Sequence, residues 1–291
     1  MDDRLAARSR PASRFQAVPG RFGLLRWRAA LYVHLIGARV RAQLQYRLSF
    51  ALDLAGTCFI TFVDFLAIVV LFAHLPRLAG WSLPEVAFFY AMATFSFGLT
   101  DLIVGHLDEF PRSIRTGAFD LFLVRPVGSL FLVVSSDLAL RRIGKMIQAT
   151  VILLYALGRL HITWTPVRVA MLITMIPTGV AIYSGVWIIA MTVTFWAVEA
   201  REVSNSFTYG GSFLASYPIN IFGGWTRRLL AFVIPMAFVS YFPGLVVLGR
   251  PDPLGAPVFL QYATPVVAVA LLLLAMQMWS IGVRHYRSTG S

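Results

Sequence analysis

Charge is what this sequence has least of. Charged residues fill 13% of the 291 positions and hydrophobic residues 58%, whereas a soluble domain carries about 25% charge. So low a share excludes an ordinary soluble enzyme and points to a chain whose main solvent is lipid. Acids are the scarcer sign, 13 against 25 bases, for a net charge of +12. Such a balance can mark a nucleic-acid binder, but these bases lie between apolar runs, where they set membrane orientation. Nucleic acid is therefore not an expected partner.

Reactive chemistry is equally thin. A single cysteine, Cys58 inside an apolar run, excludes an intrachain disulfide and cannot alone hold zinc. The five histidines, His34, His74, His106, His161 and His285, are scattered and make no ligand cluster, so no metal site is expected. No phosphate-binding loop is present, since Gly144-Lys145 is followed by Met146 rather than a hydroxyl residue. Zincin, nucleophile-elbow and Cys-x-x-Cys patterns are missing as well. No catalytic residue is assigned, and a membrane-embedded lipid transferase, which needs a clustered catalytic set, is disfavoured. Anything this protein drives with ATP must be driven by another chain.

What the sequence has is long apolar runs. A membrane helix needs about 20 mostly apolar residues, and six runs qualify or nearly so: 46–75, 86–105, 143–160, 169–198, 229–248 and 259–283. The expected fold is all-α, a polytopic protein of six transmembrane helices. Residues 1–21 read as a disordered basic tail. Met1 to Arg28 is Arg-rich but lacks the uninterrupted apolar core of a secretory leader. Residues 22–45 mix Phe22, Leu25, Tyr32, Leu35 and Ile36 with Arg26, Arg28, Arg39 and Arg41, the pattern of an amphipathic interfacial helix. The six-helix domain then fills 46–291. With both termini inside, 21 of the 25 Lys and Arg fall on the cytoplasmic side, the asymmetry that fixes orientation.

Two polar interruptions stand out. The first, 106–127, carries Asp108, Glu109, Arg112, Arg115, Gly117, Asp120 and the Arg125-Pro126 pair. It is too rich for a simple turn, and reads as a short helix at the cytoplasmic headgroups offered to something in the cytosol. The second, 203–225, is broken by Gly210, Gly211, Pro218, Gly223 and Gly224. It fits a cytoplasmic docking segment, an interfacial helix or a re-entrant turn, the last tolerated only where protein or water satisfies the backbone.

Acids inside spans are rare and consequential. Asp53 and Asp64 are eleven apart, close to three helical turns, and share one face of the first run; Asp101 lies near the end of the second. They form either an acidic stripe along a translocation path, suited to cationic substrates, or ion pairs with Arg or Lys145 of other helices. Asp137 and Arg141, four apart, can bridge, whereas Arg141 and Lys145 repel. Trp164, Trp187, Trp196 and Trp279 read as interface anchors or packing, and Pro235 and Pro243 as kinks in the fifth run.

Two motifs carry a resemblance. Gly117-x-x-Asp120-x-x-Leu123-x-Arg125-Pro126, followed by Arg141-Arg142-x-Gly144, is one. Tyr217-Pro218-Ile219, Trp225-x-Arg227-Arg228 and the stretch from Ile234-Pro235 to Pro243 make the other. Together they resemble the permease subunits of bacterial type-2 ABC exporters, in the branch of small six-span drug-type or uncharacterised systems. The resemblance implies that 106–127 is a coupling helix seated on a separate ATPase subunit through Asp108, Glu109, Arg112, Arg115, Asp120 and Arg125. It implies that 22–45 is the elbow helix, and that two ATPase copies join two permeases, the second identical or a related chain. ATP and Mg would bind in the ATPase, with no cofactor on this chain, which itself would not be an enzyme. The assembly would sit in the bacterial inner membrane. The rival from the residues alone is an ion-coupled carrier or channel using Asp53 and Asp64.

Overall fold

The computed structural model describes Gly37, Gln45 and residues 47–136, 140–197 and 201–287. The expected tail and interfacial helix therefore lie outside the described residues except for Gly37 and Gln45, as does Asp137. Among the described residues the fold is helical, with no strand.

The long helices are α1 (Arg47–His74), α2 (Leu83–Val104), α3 (Ile143–Arg159), α4 (Pro166–Thr192), the shorter α5 (Tyr241–Leu248) and α6 (Thr264–His285). Four stretches are long and apolar enough to cross a bilayer: Leu48–His74, Leu83–Arg115, Pro166–Phe195 and Thr264–His285. A bent pair, Gly224–Val233 with Met236–Leu248, would make a fifth if taken as one span. α3, at 17 residues, reaches about 26 Å at 1.5 Å per residue.

Sequence sets the helix ends. The Glu85 carboxylate accepts hydrogen bonds from the Ser82 N–H at 2.8 Å and the Ser82 hydroxyl at 2.7 Å, and Pro84 occupies the first turn, where its missing N–H costs nothing. α2 is the axis of the bundle. It packs against α3 and α4, and most of its side chains, Val86 to Ala93 among them, are buried. α1 is peripheral and turns Leu52, Phe59, Phe62 and Val70 outward. An apolar outward face of this kind suits hydrocarbon rather than water.

One expectation is corrected. The first half of the 106–127 hinge is not a separate helix. Leu83–Arg115 is one helical stretch of 33 residues, passing through a 3-10 turn at Gly105–Glu109 into Phe110–Arg115. It ends where Gly117 takes φ +69°, a left-handed conformation that glycine adopts without strain.

Of the two kinks expected in 229–248, the one at Pro235 is present, whereas Pro243 lies in the first turn of α5. The chain bends by 74° at Ile234-Pro235, where proline has no N–H to continue the helix. The flanks of the bent pair, Asn220 and Arg250, both lie at the end of the bundle opposite the hinge. Asn220, just before the first limb, accepts from Trp81 Nε1 at 2.7 Å and donates to the Ala79 carbonyl at 3.2 Å. Arg250, just after the second, meets Glu85 at 3.1 Å and the Gly80 carbonyl at 3.2 Å. The apex, Val233 to Pro235, reaches down to Ala190, Val193 and Ser204.

The 203–225 stretch runs between the two ends instead. Arg201–Asn205, a π turn at Ser206–Gly210 and Gly211–Ala215 form one continuous helical passage. Ser204 donates to the Ala190 carbonyl at 2.8 Å near the hinge end, and Ser240 donates to the Ala215 carbonyl at 2.6 Å further along. Gly211 is needed there, since a Cβ would lie 2.8 Å from Met236 Cε.

Candidate functional site

The hinge is bolted to the bundle by aromatic rings. Phe110 packs at 4.8 Å, ring centre to ring centre, on Trp279 of α6 and at 5.1 Å on Phe195 beyond α4; Phe119 packs at 5.0 Å on Tyr286. Edge and tilted arrangements at these separations are favourable. Outside this anchor the hinge turns Arg112, Arg115, Arg125 and Pro126 to the surface, with Leu121, Leu123 and Val124 exposed beside them. Val124 is 80% exposed. An exposed apolar strip of this kind marks a surface for a partner protein or for the membrane interface.

The six hinge residues named from sequence divide. Arg112, Arg115 and Arg125 are exposed, and Glu109 and Asp120 are half-buried. Asp108 points into the bundle, accepting hydrogen bonds from Trp187 Nε1 at 3.0 Å and the Tyr209 hydroxyl at 2.8 Å. It ties the hinge to α4 and to the 201–215 passage.

One helical turn into α2 lies Asp101, 3% exposed. Arg142 Nη1 stands 3.2 Å from its Oδ1 and Lys145 Nζ 3.8 Å from its Oδ2. Arg142 also donates to the carbonyls of Asp101 and Gly105. Gly105 is dictated by this approach, because a Cβ there would collide with the Arg142 guanidinium and the Asp101 carboxylate. A carboxylate removed from water is tolerable when cations answer it. Lys145 lies 5.4 Å from the Phe97 ring centre and 6.0 Å from that of Tyr209, so the Asp101 and Asp108 clusters adjoin.

Above them opens a cleft of about 220 Å³ between α1, α2, α3 and the 201–215 passage. Asp64, Lys145, Thr61, Thr94, Tyr90 and Tyr217 are among its lining residues. The three acids named from sequence are not brought together. Asp64 edges the cleft, Asp101 is closed off by Arg142 and Lys145, and Asp53 is exposed on α1. Sequence reasoning passed over Tyr209 and Trp187 as partners of Asp108, for they lie 101 and 79 residues away. Arg142 did have a signal, the Arg141-Arg142-x-Gly144 motif. Among the described residues no three His, Cys, Asp or Glu converge as a metal site.

No curated protein and no solved structure matches the chain. A family model described as ABC-2 family transporter protein matches residues 58–290. That match takes in α2 to α6, the hinge and both acid clusters, and the chain belongs to the ABC-2 transporter family as a membrane component of an ABC transporter.

Proposed function

We propose that the chain is the permease subunit of an ATP-driven exporter, coupled through its hinge to a separate ATPase. The observation that carries this reading is the exposed Arg112, Arg115, Leu121–Arg125 strip at the tip of a helix rooted in the bundle core. Arginines pair with acidic and carbonyl groups of a partner, and the apolar side chains between them give the contact its buried centre. Two ATPases and two permeases, the second identical or related, complete the assembly, with ATP and Mg in the ATPase. ATP-driven closure of those subunits presses on the hinge, and the aromatic anchor passes the push to α4 and α6. Rigid-body tilting then alternates access to the cleft.

Six crossings follow if α1, α2, α3, α4, the 201–215 passage and α6 each traverse, with 224–248 dipping in and returning. Arg227 and Arg228 then move to the outer side. The basic tally becomes 19 at the hinge side against six opposite, still strongly biased, which supports a cytoplasmic hinge in a bacterial inner membrane. Drug-type cargo follows from the resemblance alone.

The test is co-purification of the tagged chain in mild detergent, then ATPase assay with Arg112→Glu and Arg115→Glu combined. An ATP-binding subunit should co-purify with wild type, and the double variant should insert normally yet lose most of the ATPase stimulation. Full stimulation in that variant refutes the docking surface. The carrier reading draws on Asp64 in the cleft, and transport that persists with partner ATP hydrolysis blocked would favour it.

A further inference from the structure

Among the described residues, the cleft holds one charge that no ion pair or hydrogen bond answers. Of its two charged lining residues, Lys145 is engaged by Asp101, whereas Asp64 makes no salt bridge or side-chain hydrogen bond among the described residues. Asp64 is the eighteenth residue of the 28-residue α1, about 26 Å from its start and 15 Å from its end. At that depth a carboxylate facing hydrocarbon is expensive and ordinarily faces a cavity or a partner. The cleft supplies the cavity. Around Asp64 it presents the rings of Tyr90, Phe213 and Tyr217 and the hydroxyls of Thr61 and Thr94, and the Tyr90 hydroxyl donates to the Thr61 carbonyl at 3.2 Å, fixing that ring. Ring faces attract cations, and an acid among rings is the recognition chemistry of a substituted ammonium.

Resting on the transporter reading, we propose that the cleft is a cargo site for a small organic monocation with an apolar body, held by Asp64 as counter-charge and by Tyr90 and Tyr217 as walls. Lys145 does not cancel this preference, because Asp101 holds it, and in that cluster Asp101 and Asp108 balance Arg142 and Lys145. Asp64 is then the surplus charge of the cleft, so an anion of the same size is rejected.

The probe is radiolabelled benzyltrimethylammonium, with benzenesulfonate as an anion of comparable size. Binding is measured by equilibrium dialysis to the full chain, purified in mild detergent with whatever subunits accompany it and without nucleotide. Saturable cation binding is expected, not displaced by benzenesulfonate. Asp64→Asn should weaken it several-fold, as loss of the cation's counter-charge does, and Asp64→Glu should restore most of it. Wild-type affinity in Asp64→Asn, or equal binding of the two ions, overturns the proposal. Should Asp64→Asn fail to fold, the cation-over-anion ratio of wild type decides the charge preference. Tyr217→Leu, which alters no charge, should then lower cation affinity several-fold, and an unchanged affinity overturns the proposed wall. ATPase co-purification is scored separately, so failure here leaves the transporter reading intact.

Discussion

Asp101→Asn is the sharpest perturbation of this bundle. It replaces a buried carboxylate by an amide of the same shape and leaves Arg142 and Lys145, 16% and 25% exposed, without their counter-charge. At an effective dielectric of about 20, the attraction lost is about 5 kcal/mol for Arg142 and about 4 kcal/mol for Lys145. Much of this is offset because the amide is easier to desolvate, and the net cost of stripping one partner from a buried pair is about 3–5 kcal/mol. Thermal unfolding in mild detergent, followed by tryptophan fluorescence, should fall by roughly 6–12 °C. Arg142→Met should cost more than Lys145→Met, since Arg142 is nearer and also holds two carbonyls. Adding Lys145→Met to Asp101→Asn should recover part of the loss, because one orphaned cation is removed. A melting midpoint within about 1 °C of wild type for Asp101→Asn, or strictly additive losses in the double variant, refutes the cluster as a structural pivot.

Other predictions follow from the same geometry. Gly244→Ala places a Cβ 2.5 Å from Phe89 Cε1 and 3.3 Å from Phe88 Cε1, both rings fully buried, and should destabilise by about 1–3 kcal/mol in the same melt. Tyr209→Phe removes one hydrogen bond from the Asp108 carboxylate and should cost about 1.5–3 kcal/mol; an unchanged melt would mean the bond contributes nothing. Single cysteines introduced as Trp225→Cys and Pro253→Cys in a Cys58→Ser background should react with a membrane-impermeant maleimide from the same side as Arg77→Cys. Labelling of the two from opposite sides refutes the returning hairpin.

The parts that depend on composition and short spacing were legible in the sequence. The 46–75 run became Arg47–His74, the Pro84 start became the α2 N-terminus, and 259–283 became most of α6. Failures came where an element's course depends on residues far away. The 203–225 stretch looks too broken to pass through the bundle because glycines lower helix propensity. Yet Gly211 and Gly244 are where Met236 and Phe89 must approach, a demand that only packing reveals. Hydropathy likewise scores 229–248 as one run: Pro235 was legible as a kink, but not that both flanks of the bend lie at one end of the bundle. The acids are the clearest case: Asp101, Asp108 and Asp64 look alike in one dimension. Two sit in buried polar clusters and one edges a cleft, and the groups that decide this come from other helices.

The returning hairpin also bears on how the chain is inserted and how it moves. In the six-crossing reading this element enters and leaves through one face and contributes no reversal of direction, so the heading of α6 is set by the loops and bases around it. Lengthening the hairpin tip, or adding charge there, should leave the last helix pointing the same way; the same change near 193–205 would not be neutral. The hairpin hangs only from the loops at the end opposite the hinge. A slide of one helical turn, about 5 Å, would carry Pro235 past α4 and α6 while every loop at the hinge end stayed in place.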